Sequence, residues 1–342
     1  MLWPEDKFTC LIETTTYCNA KCPQCSRTNP DGLGYSGIAP LKHVTFQEWK
    51  DSYAKSYDSI RSFHFSGQWG DAFMNPDIKD IMYHIIDNSE CNISFCTNAS
   101  MRDGDFWWDL GVKLKGRVTG HFDVDGLTQE NHEMYRRNTN LKLVKDNVEA
   151  WASTGARTVI FSVVFKHNQG DMDGISKWAE SIGAKHDPMQ SNRFWAGPTF
   201  TYSYKGKDYT LEQTTDPRFL ESFSEDRATR DYRHYDNVTR NIRCRWGERN
   251  KIFVDEYLNV WPCCYWHIRH FRYSKEDNTN PAFSYFIKCF MNGDFNLKNK
   301  SLEEIMNSSF YTWILEESFD VNPTRICKVI CGALSSEDEQ PQ

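Results

Sequence analysis

The chain has 342 residues, 39% hydrophobic and 25% charged, enough to bury a real core as one large domain or two ordinary ones, and it does not have the composition of a disordered protein. Forty Lys and Arg against 47 Asp and Glu give a net charge of −7, so nothing global in the electrostatics points to nucleic acid as a partner. The longest apolar runs, such as TVIFSVVF (158–165), are far shorter than the roughly 18 residues of a membrane span, and MLWPEDKFTC lacks the basic and apolar regions of a secretion signal. A cytoplasmic location with no membrane partner is the default expectation.

In chain order, FTCLIETT (8–15) reads as a strand. TFQEWKDSYAKSY (45–57) reads as a helix, with Thr45 as N-cap and Glu48 completing a capping box. SFHFSG (62–67) is a strand and NPDIKDIMYHIIDNS (75–89) a helix. NISFCTN (92–98) is a strand, followed by the helical DGDFWWDLGVKL. VTGHFDVDG (118–126) and RTVIFSVVF are strands, each followed by an amphipathic helix, NLKLVKDNVEAWASTG and DMDGISKWAESIGA. Repeated strand–helix units argue for a parallel sheet with crossover helices. The expected fold class is α/β, a partial (β/α)6 TIM-like barrel over residues 1–186. In such barrels functional residues gather at the C-terminal ends of the strands, where 18–25, 67–71, 97–98 and 123–126 all fall.

Periodicity fades over 187–240, which reads as a linker or substrate-covering region; Arg193, Trp195, Tyr202 and Tyr204 are candidates to line a cleft there. Residues 241–334 carry the short strands KIFVDEY and NVWPCCYW and one helical stretch, SLEEIMNSSFYTWILEES, and read as a small α+β domain stabilised by metal. The tail at 335–342 is polar and acidic and is expected to be disordered.

The twelve cysteines carry the chemistry. Without a secretion signal a disulfide scaffold is disfavoured. Cys18, Cys22 and Cys25 fall within eight residues in TTTYCNAKCPQCSR, spaced C-x3-C-x2-C. Structural zinc wants four ligands, and Cys10, at the start of the preceding strand, is too distant to be a fourth. A four-iron cluster held by three cysteines leaves one iron open, whereas the usual cluster is closed by four.

That segment resembles the signature of the radical S-adenosylmethionine (SAM) superfamily. The resemblance implies a [4Fe-4S] cluster on Cys18, Cys22 and Cys25, with the amino and carboxylate groups of SAM on the fourth iron. It also implies an electron donor such as flavodoxin or ferredoxin, reductive cleavage of SAM to a 5′-deoxyadenosyl radical, and abstraction of a hydrogen atom from substrate. Gln24 departs from the aromatic or bulky apolar residue usual before the third cysteine. SGQWGDAFMNPDI is similar to the Gly-Gly-Glu-Pro segment that binds the SAM amino group, placing Gly67, Gln68, Trp69, Gly70 and Asp71 there. CTNAS resembles the segment after the third strand, with Asn98. FDVDGLTQENHEMYRRN resembles the segment after the fourth, which makes Asp123 or Asp125 a ribose acceptor and Arg136 or Arg137 a partner for the SAM carboxylate. Asn168 is a further candidate beside the adenine.

After residue 240, Cys244, Cys263, Cys327 and Cys331 resemble the closing ligands of a SPASM/Twitch-type auxiliary domain. Asn259 stands where Gly is usual, and the closing pair is C-x3-C where C-x2-C is commoner. A two-cluster domain needs at least seven cysteines and six are present, so the resemblance implies one auxiliary [4Fe-4S] cluster; four-cysteine zinc is the alternative. Cys264, adjacent to a ligand, is not an expected one. The expected activity is a radical SAM oxidoreductase, of dehydrogenase or peptide-modifying type, acting on a small molecule or peptide with net oxidation. A zinc- or iron-stabilised binding protein of the same fold, without SAM chemistry, is the other reading.

Overall fold

The computed structural model describes residues 2–194, 197–220, 241–267 and 279–333; Trp195, the end of the expected covering region and the tail lie outside them. In chain order the elements are β1 (Phe8–Ile12), α1 (Phe46–Tyr53), β2 (Ile60–Phe65), α2 (Ile78–Asn88), β3 (Asn92–Thr97), α3 (Gly104–Leu114), β4 (Val118–Asp123), α4 (Gln129–Glu133), α5 (Leu141–Ser153), β5 (Arg157–Val164), α6 (Met172–Ser181), β6 (Lys185–Gln190), β7 (Thr199–Tyr204) and β8 (Lys207–Glu212). β9 (Asn241–Ile242), β10 (Lys251–Val254), β11 (Val260–Trp261) and β12 (Gly332–Ala333) follow, with later helices named below by their residues. The expected α/β class, parallel strands joined by helices, is what the chain adopts.

The capping box is present: the Thr45 hydroxyl accepts from Glu48 N at 3.1 Å and the Glu48 carboxylate accepts from Thr45 N at 3.0 Å. α2 starts three residues later than its apolar pattern suggests. Asn75 forms a turn instead, its Oδ1 accepting from Asp77 N at 2.9 Å while its Nδ2 donates to Thr14 O at 2.9 Å.

The chain forms two compact units. One comprises Glu13–His43 and Phe65–Thr229. In it β3, β4, β5 and β6 pair in sequence order and in parallel, with Ile93 opposite Val118, Thr119 opposite Arg157 and Val159 opposite Lys185. Phe95 on β3 packs against Phe73, Phe122 and Trp151 at centroid distances of 4.9, 5.6 and 5.2 Å. This aromatic layer buries the helices against the strands. The stretch without periodicity holds an antiparallel hairpin, β7–β8, turned by Lys205 and Gly206 at φ of 50° and 74°. Both turn residues at positive φ match the right-handed twist of the strands.

The other unit comprises Met1–Ile12, Val44–His64 and Arg230–Gln342. β1 pairs in parallel with β10, and β10 antiparallel with β11. The turn between β10 and β11 runs over Asp255–Asn259, with Leu258 at φ 69°. The Asp255 carboxylate accepts from Tyr257 N, Asn259 N and Trp261 Nε1, at 2.9, 2.9 and 2.8 Å. Asn259 serves where glycine was expected because its amide bonds Asp255 and accepts from Asn296 Nδ2 at 2.7 Å. The stretch expected as one helix is broken into Leu302–Met306, a π turn at Phe310–Ile314 and Leu315–Val321. A helix at Pro281–Met291, capped by Asn280, was not anticipated. No described helix is long and apolar enough to cross a membrane.

Candidate functional site

Beyond β1 the chain enters the cysteine loop, which is held by its own backbone. Cys25 N donates to Cys22 O and Thr28 N to Cys25 O, both at 3.0 Å; the Thr28 hydroxyl donates to Cys22 O at 2.6 Å. Asn138 Nδ2 donates to Asn19 O at 2.7 Å, and Lys21 N to Arg137 O at 2.9 Å. The three thiols share one neighbourhood. Burial pushes the Cys18 thiol up, and Asp71, Cys22 and Cys25 push it further. Burial also drives Cys22 up to about 12, against the pull of Arg136, with Cys25 adding to the rise. Two N–H donors point at the sulfurs: Asn98 Nδ2 lies 3.9 Å from Cys18 Sγ, and Arg136 Nη1 lies 3.9 Å from Cys22 Sγ.

The turn after β2 is built for close backbone approach. Gly67 has φ 61°, and a side chain on it would collide with Gly70 O. A side chain on Gly70 would collide with the carbonyls of Thr15 and Tyr17. Glu13, buried at the end of β1, accepts from Trp69 N at 2.9 Å and Gly70 N at 3.0 Å. The sequence reading missed Glu13; the available signal was a carboxylate directly after an apolar strand. Gln68 is half-buried and the Trp69 ring is buried.

Asp71 comes to the site with its lone pairs already used. Oδ1 accepts from Phe73 N at 3.1 Å, and the Thr97 hydroxyl donates to the carboxylate at 2.9 Å. Asn98 N and Nδ2 donate to Oδ2 at 2.9 and 2.7 Å. Burial raises the Asp71 carboxyl and these bonds oppose the rise. Asp71 thus ties the ends of two strands together.

Arg136 bridges Asp123, at 2.9 Å, and Asp125, at 2.5 Å. The second oxygen of Asp125 accepts from Val163 N at 2.6 Å, so both oxygens of this fully buried group have a partner. Asp123 keeps a partly exposed face, and burial pushes it up to about 7 against the pull of Arg136. Arg137 lies among tyrosines, its Nε donating to Tyr202 Oη at 2.9 Å. Asn168 is likewise spent, donating to Asp125 O at 2.7 Å and Val163 O at 2.9 Å. Tyr202, a candidate cleft residue, is buried and donates to Met134 O at 2.6 Å.

Gln24 has a partner the sequence did not disclose. The Ser191 hydroxyl donates to its Oε1 at 2.7 Å, its Nε2 donates to Arg193 O at 3.3 Å, and its carbonyl accepts from Arg193 Nη1 at 2.8 Å.

In the other unit, Cys327 and Cys331 lie on the helix Arg325–Cys331, four residues apart. On a helix that spacing puts both thiols on one face, which accounts for C-x3-C. Burial pushes Cys327 up to about 12 and Cys244 up to about 11; Cys327 also feels Cys244 and Cys331. Cys263 is raised by burial, then by Cys264, Cys327 and Cys244. Trp266 Nε1 donates to Cys327 Sγ, and Gly247 N to Cys244 Sγ, both at 3.4 Å. Among the described residues no three His, Cys, Asp or Glu side chains draw together as tightly as a single ion requires. A cluster of several irons spreads its ligands more widely than one ion does. The donor chemistry of both sets, thiols with N–H groups aimed at sulfur, fits iron–sulfur ligation.

Residues 12–179 match the model of the radical SAM superfamily. The fold resembles that of SuiB from Streptococcus suis, at 13% identity and a TM-score of 0.56, covering 89% of this chain and 67% of that one. SuiB bound to precursor peptide SuiA gives 12% and 0.53, covering 90% and 66%. The enzyme anSMEcpe with bound AdoMet gives 15% and 0.53, covering 94% and 88%. At these identities the likeness is one of fold. No curated protein is significantly similar to the chain.

Proposed function

We propose, from the match of residues 12–179 to the radical SAM superfamily model together with the cysteine loop, that the chain is a radical SAM enzyme abstracting a hydrogen atom from a small-molecule or peptide substrate. The observation that carries this is the meeting of Cys18, Cys22 and Cys25 with Asn98 and Arg136 in one unit. Cys18, Cys22 and Cys25 would hold the cluster, which would supply the electron for cleavage of SAM. The chain does the positioning. Asp71 fixes Asn98 toward Cys18, Glu13 holds the Gly67–Gly70 turn open for a ligand's polar end, and Arg136 turns its charge toward Cys22. Asp123, the less saturated of the two carboxylates, is the acceptor proposed for the ribose hydroxyls.

Cys244, Cys263, Cys327 and Cys331 are proposed to hold a second [4Fe-4S] cluster, closed by four thiolates and suited to electron transfer rather than substrate binding. Their mutual proximity and the Trp266 donor support this. Such a cluster would supply an acceptor for an electron leaving the substrate, and the proposed reaction would then be a net oxidation. A flavodoxin or ferredoxin is the proposed source of the priming electron. A peptide substrate gains support from SuiB, whose fold is similar and whose structure holds a precursor peptide. The experiment is anaerobic incubation of reconstituted protein with SAM, reductant and fractionated extract. Mass spectrometry then follows 5′-deoxyadenosine and any substrate that loses hydrogen. Absence of 5′-deoxyadenosine would falsify the reading.

A further inference from the structure

Of the arginines around the cysteine loop, Arg27 bonds Thr16 O and stacks on Tyr35, and Arg136 and Arg137 have their charge balanced. Arg136 bridges two aspartates; Arg137 pairs with Glu133 at 3.8 Å and stacks on tyrosines. Arg193 has no carboxylate partner among the described residues. Its side chain is exposed and makes one hydrogen bond, to the Gln24 carbonyl. A guanidinium carries five N–H donors, so most of its capacity faces outward.

The backbone beneath Arg193 is fixed. Gln24 bonds Arg193 O and Ser191 Oγ, and Arg193 N donates to Ser191 Oγ at 3.3 Å. The guanidinium is therefore presented from a braced segment. Its chain neighbour Phe194 packs, with Cys22, against the buried cluster that holds Tyr135 and Phe165, and Arg193 interacts electrostatically with Tyr135, Cys25 and Cys22. Tyr135 in turn feels Arg193 before any other charged group. Its hydroxyl has no hydrogen-bond partner among the described residues. Behind it, Tyr135 packs on Phe165 at 4.8 Å, and Phe165 on Phe194 at 5.9 Å. Two unspent donors thus stand together beside the cysteine loop, backed by an aromatic wall.

We infer that Arg193 and Tyr135 form a carboxylate-binding pair that anchors the substrate, and that the substrate carries a carboxylate next to an apolar or aromatic group. This rests on the radical SAM reading above and narrows its substrate class. A guanidinium and a phenol donating to one carboxylate give charge-assisted bonds of fixed geometry. An anchor bonded to Gln24, the residue before Cys25, would hold a substrate beside the cysteine loop. Gln24, which breaks the family pattern before the third cysteine, is then the residue that makes the anchor possible.

The test uses the reconstituted full chain with SAM bound and two probes, N-acetylphenylalanine and its C-terminal amide, compared by calorimetric titration. The acid is expected to bind about tenfold more tightly than the amide. R193Q and Y135F are expected to shrink that ratio, R193Q close to unity, while R193K restores part of it. Iron content and the cluster's absorbance show that each variant has kept its loop. Equal binding of acid and amide by the wild type overturns the inference. So does an R193Q variant that loses SAM affinity as much as acid affinity, because Arg193 would then serve SAM. Failure of the wild type to cleave SAM is a different result and sinks the radical reading itself.

Discussion

Asn98 reaches Asp71 twice, with its backbone N–H at 2.9 Å and its side-chain Nδ2 at 2.7 Å, both on Oδ2. The same Nδ2 lies 3.9 Å from Cys18 Sγ, so a carboxylate on one loop aims a donor at a thiol on another. Asp71→Ala removes the acceptor of Asn98, Thr97 and Phe73 together. The expected cost is about 1–3 kcal/mol in urea unfolding, from buried donors left unpaired. Retention of the cluster on Cys18, Cys22 and Cys25 should fall about tenfold or more, as for other second partners of a metal ligand. A variant with full stability and full iron would remove Asp71 from this role.

Gly70 sits against Thr15 and Tyr17 carbonyls that belong to the backbone and cannot swing away. Gly70→Ala should therefore displace the turn from Glu13 and from the cysteine loop, lowering stability by about 1–3 kcal/mol. Gly34→Ala meets nothing nearby and should leave the melting temperature close to wild type. Equal melting temperatures for the two variants would refute the tight approach.

The two cysteine sets lie in different units and should be separable by chemistry. The triple variant C18A/C22A/C25A is expected to lose SAM cleavage while keeping roughly half the iron of a chain that holds two four-iron clusters. C327A/C331A should lose the other half and still form 5′-deoxyadenosine. Iron and sulfide analysis reads both. A zinc signal that vanishes only in C327A/C331A would replace the auxiliary iron with zinc.

His132 supplies a pH signature. It is buried, its Nδ1 accepts from Asp125 N at 3.1 Å, and burial lowers its pKa to about 4. The unfolded chain takes up this proton near the ordinary value of about 6.5, and the folded chain only near 4. Stability is complete above pH 6.5 and falls as the pH drops toward 4. At pH 5 the loss attributable to His132 is about 2 kcal/mol. His132→Gln should flatten the fall in urea midpoint between pH 7 and pH 5, whatever its stability at pH 7. Parallel slopes for wild type and variant would reject this assignment.

The elements that carry the site form from local patterns, and so were readable in the sequence. The alternating strands β3 to β5, the Thr45–Glu48 capping box and the C-x3-C-x2-C loop depend on residues close in sequence. What escaped depends on contacts made across long separations. Gln24 reads as a departure from pattern until Ser191 and Arg193, more than 160 positions away, bond to it. Asp71 and Asp125 read as free acceptors, and only the fold shows their oxygens filled by Asn98, Thr97 and Val163. The β7–β8 hairpin was hidden because β7, TFTYSY, alternates aromatic residues with Thr and Ser rather than apolar with charged, and β8, KDYTLE, offers only Tyr209 and Leu211 as apolar positions. The helix at Pro281–Met291 was legible in its Asn280 cap and N-terminal proline, which were overlooked beside the cysteine pattern.

The central claim is that Cys18, Cys22 and Cys25 hold a cluster that cleaves SAM. The most direct measurement is anaerobic reconstitution followed by dithionite and SAM, with 5′-deoxyadenosine quantified beside the iron bound per chain. The account predicts about eight iron and eight sulfide per chain, with 5′-deoxyadenosine formed by the wild type and none by C18A/C22A/C25A. A protein that carries zinc alone, or that binds iron yet leaves SAM intact under these conditions, contradicts it.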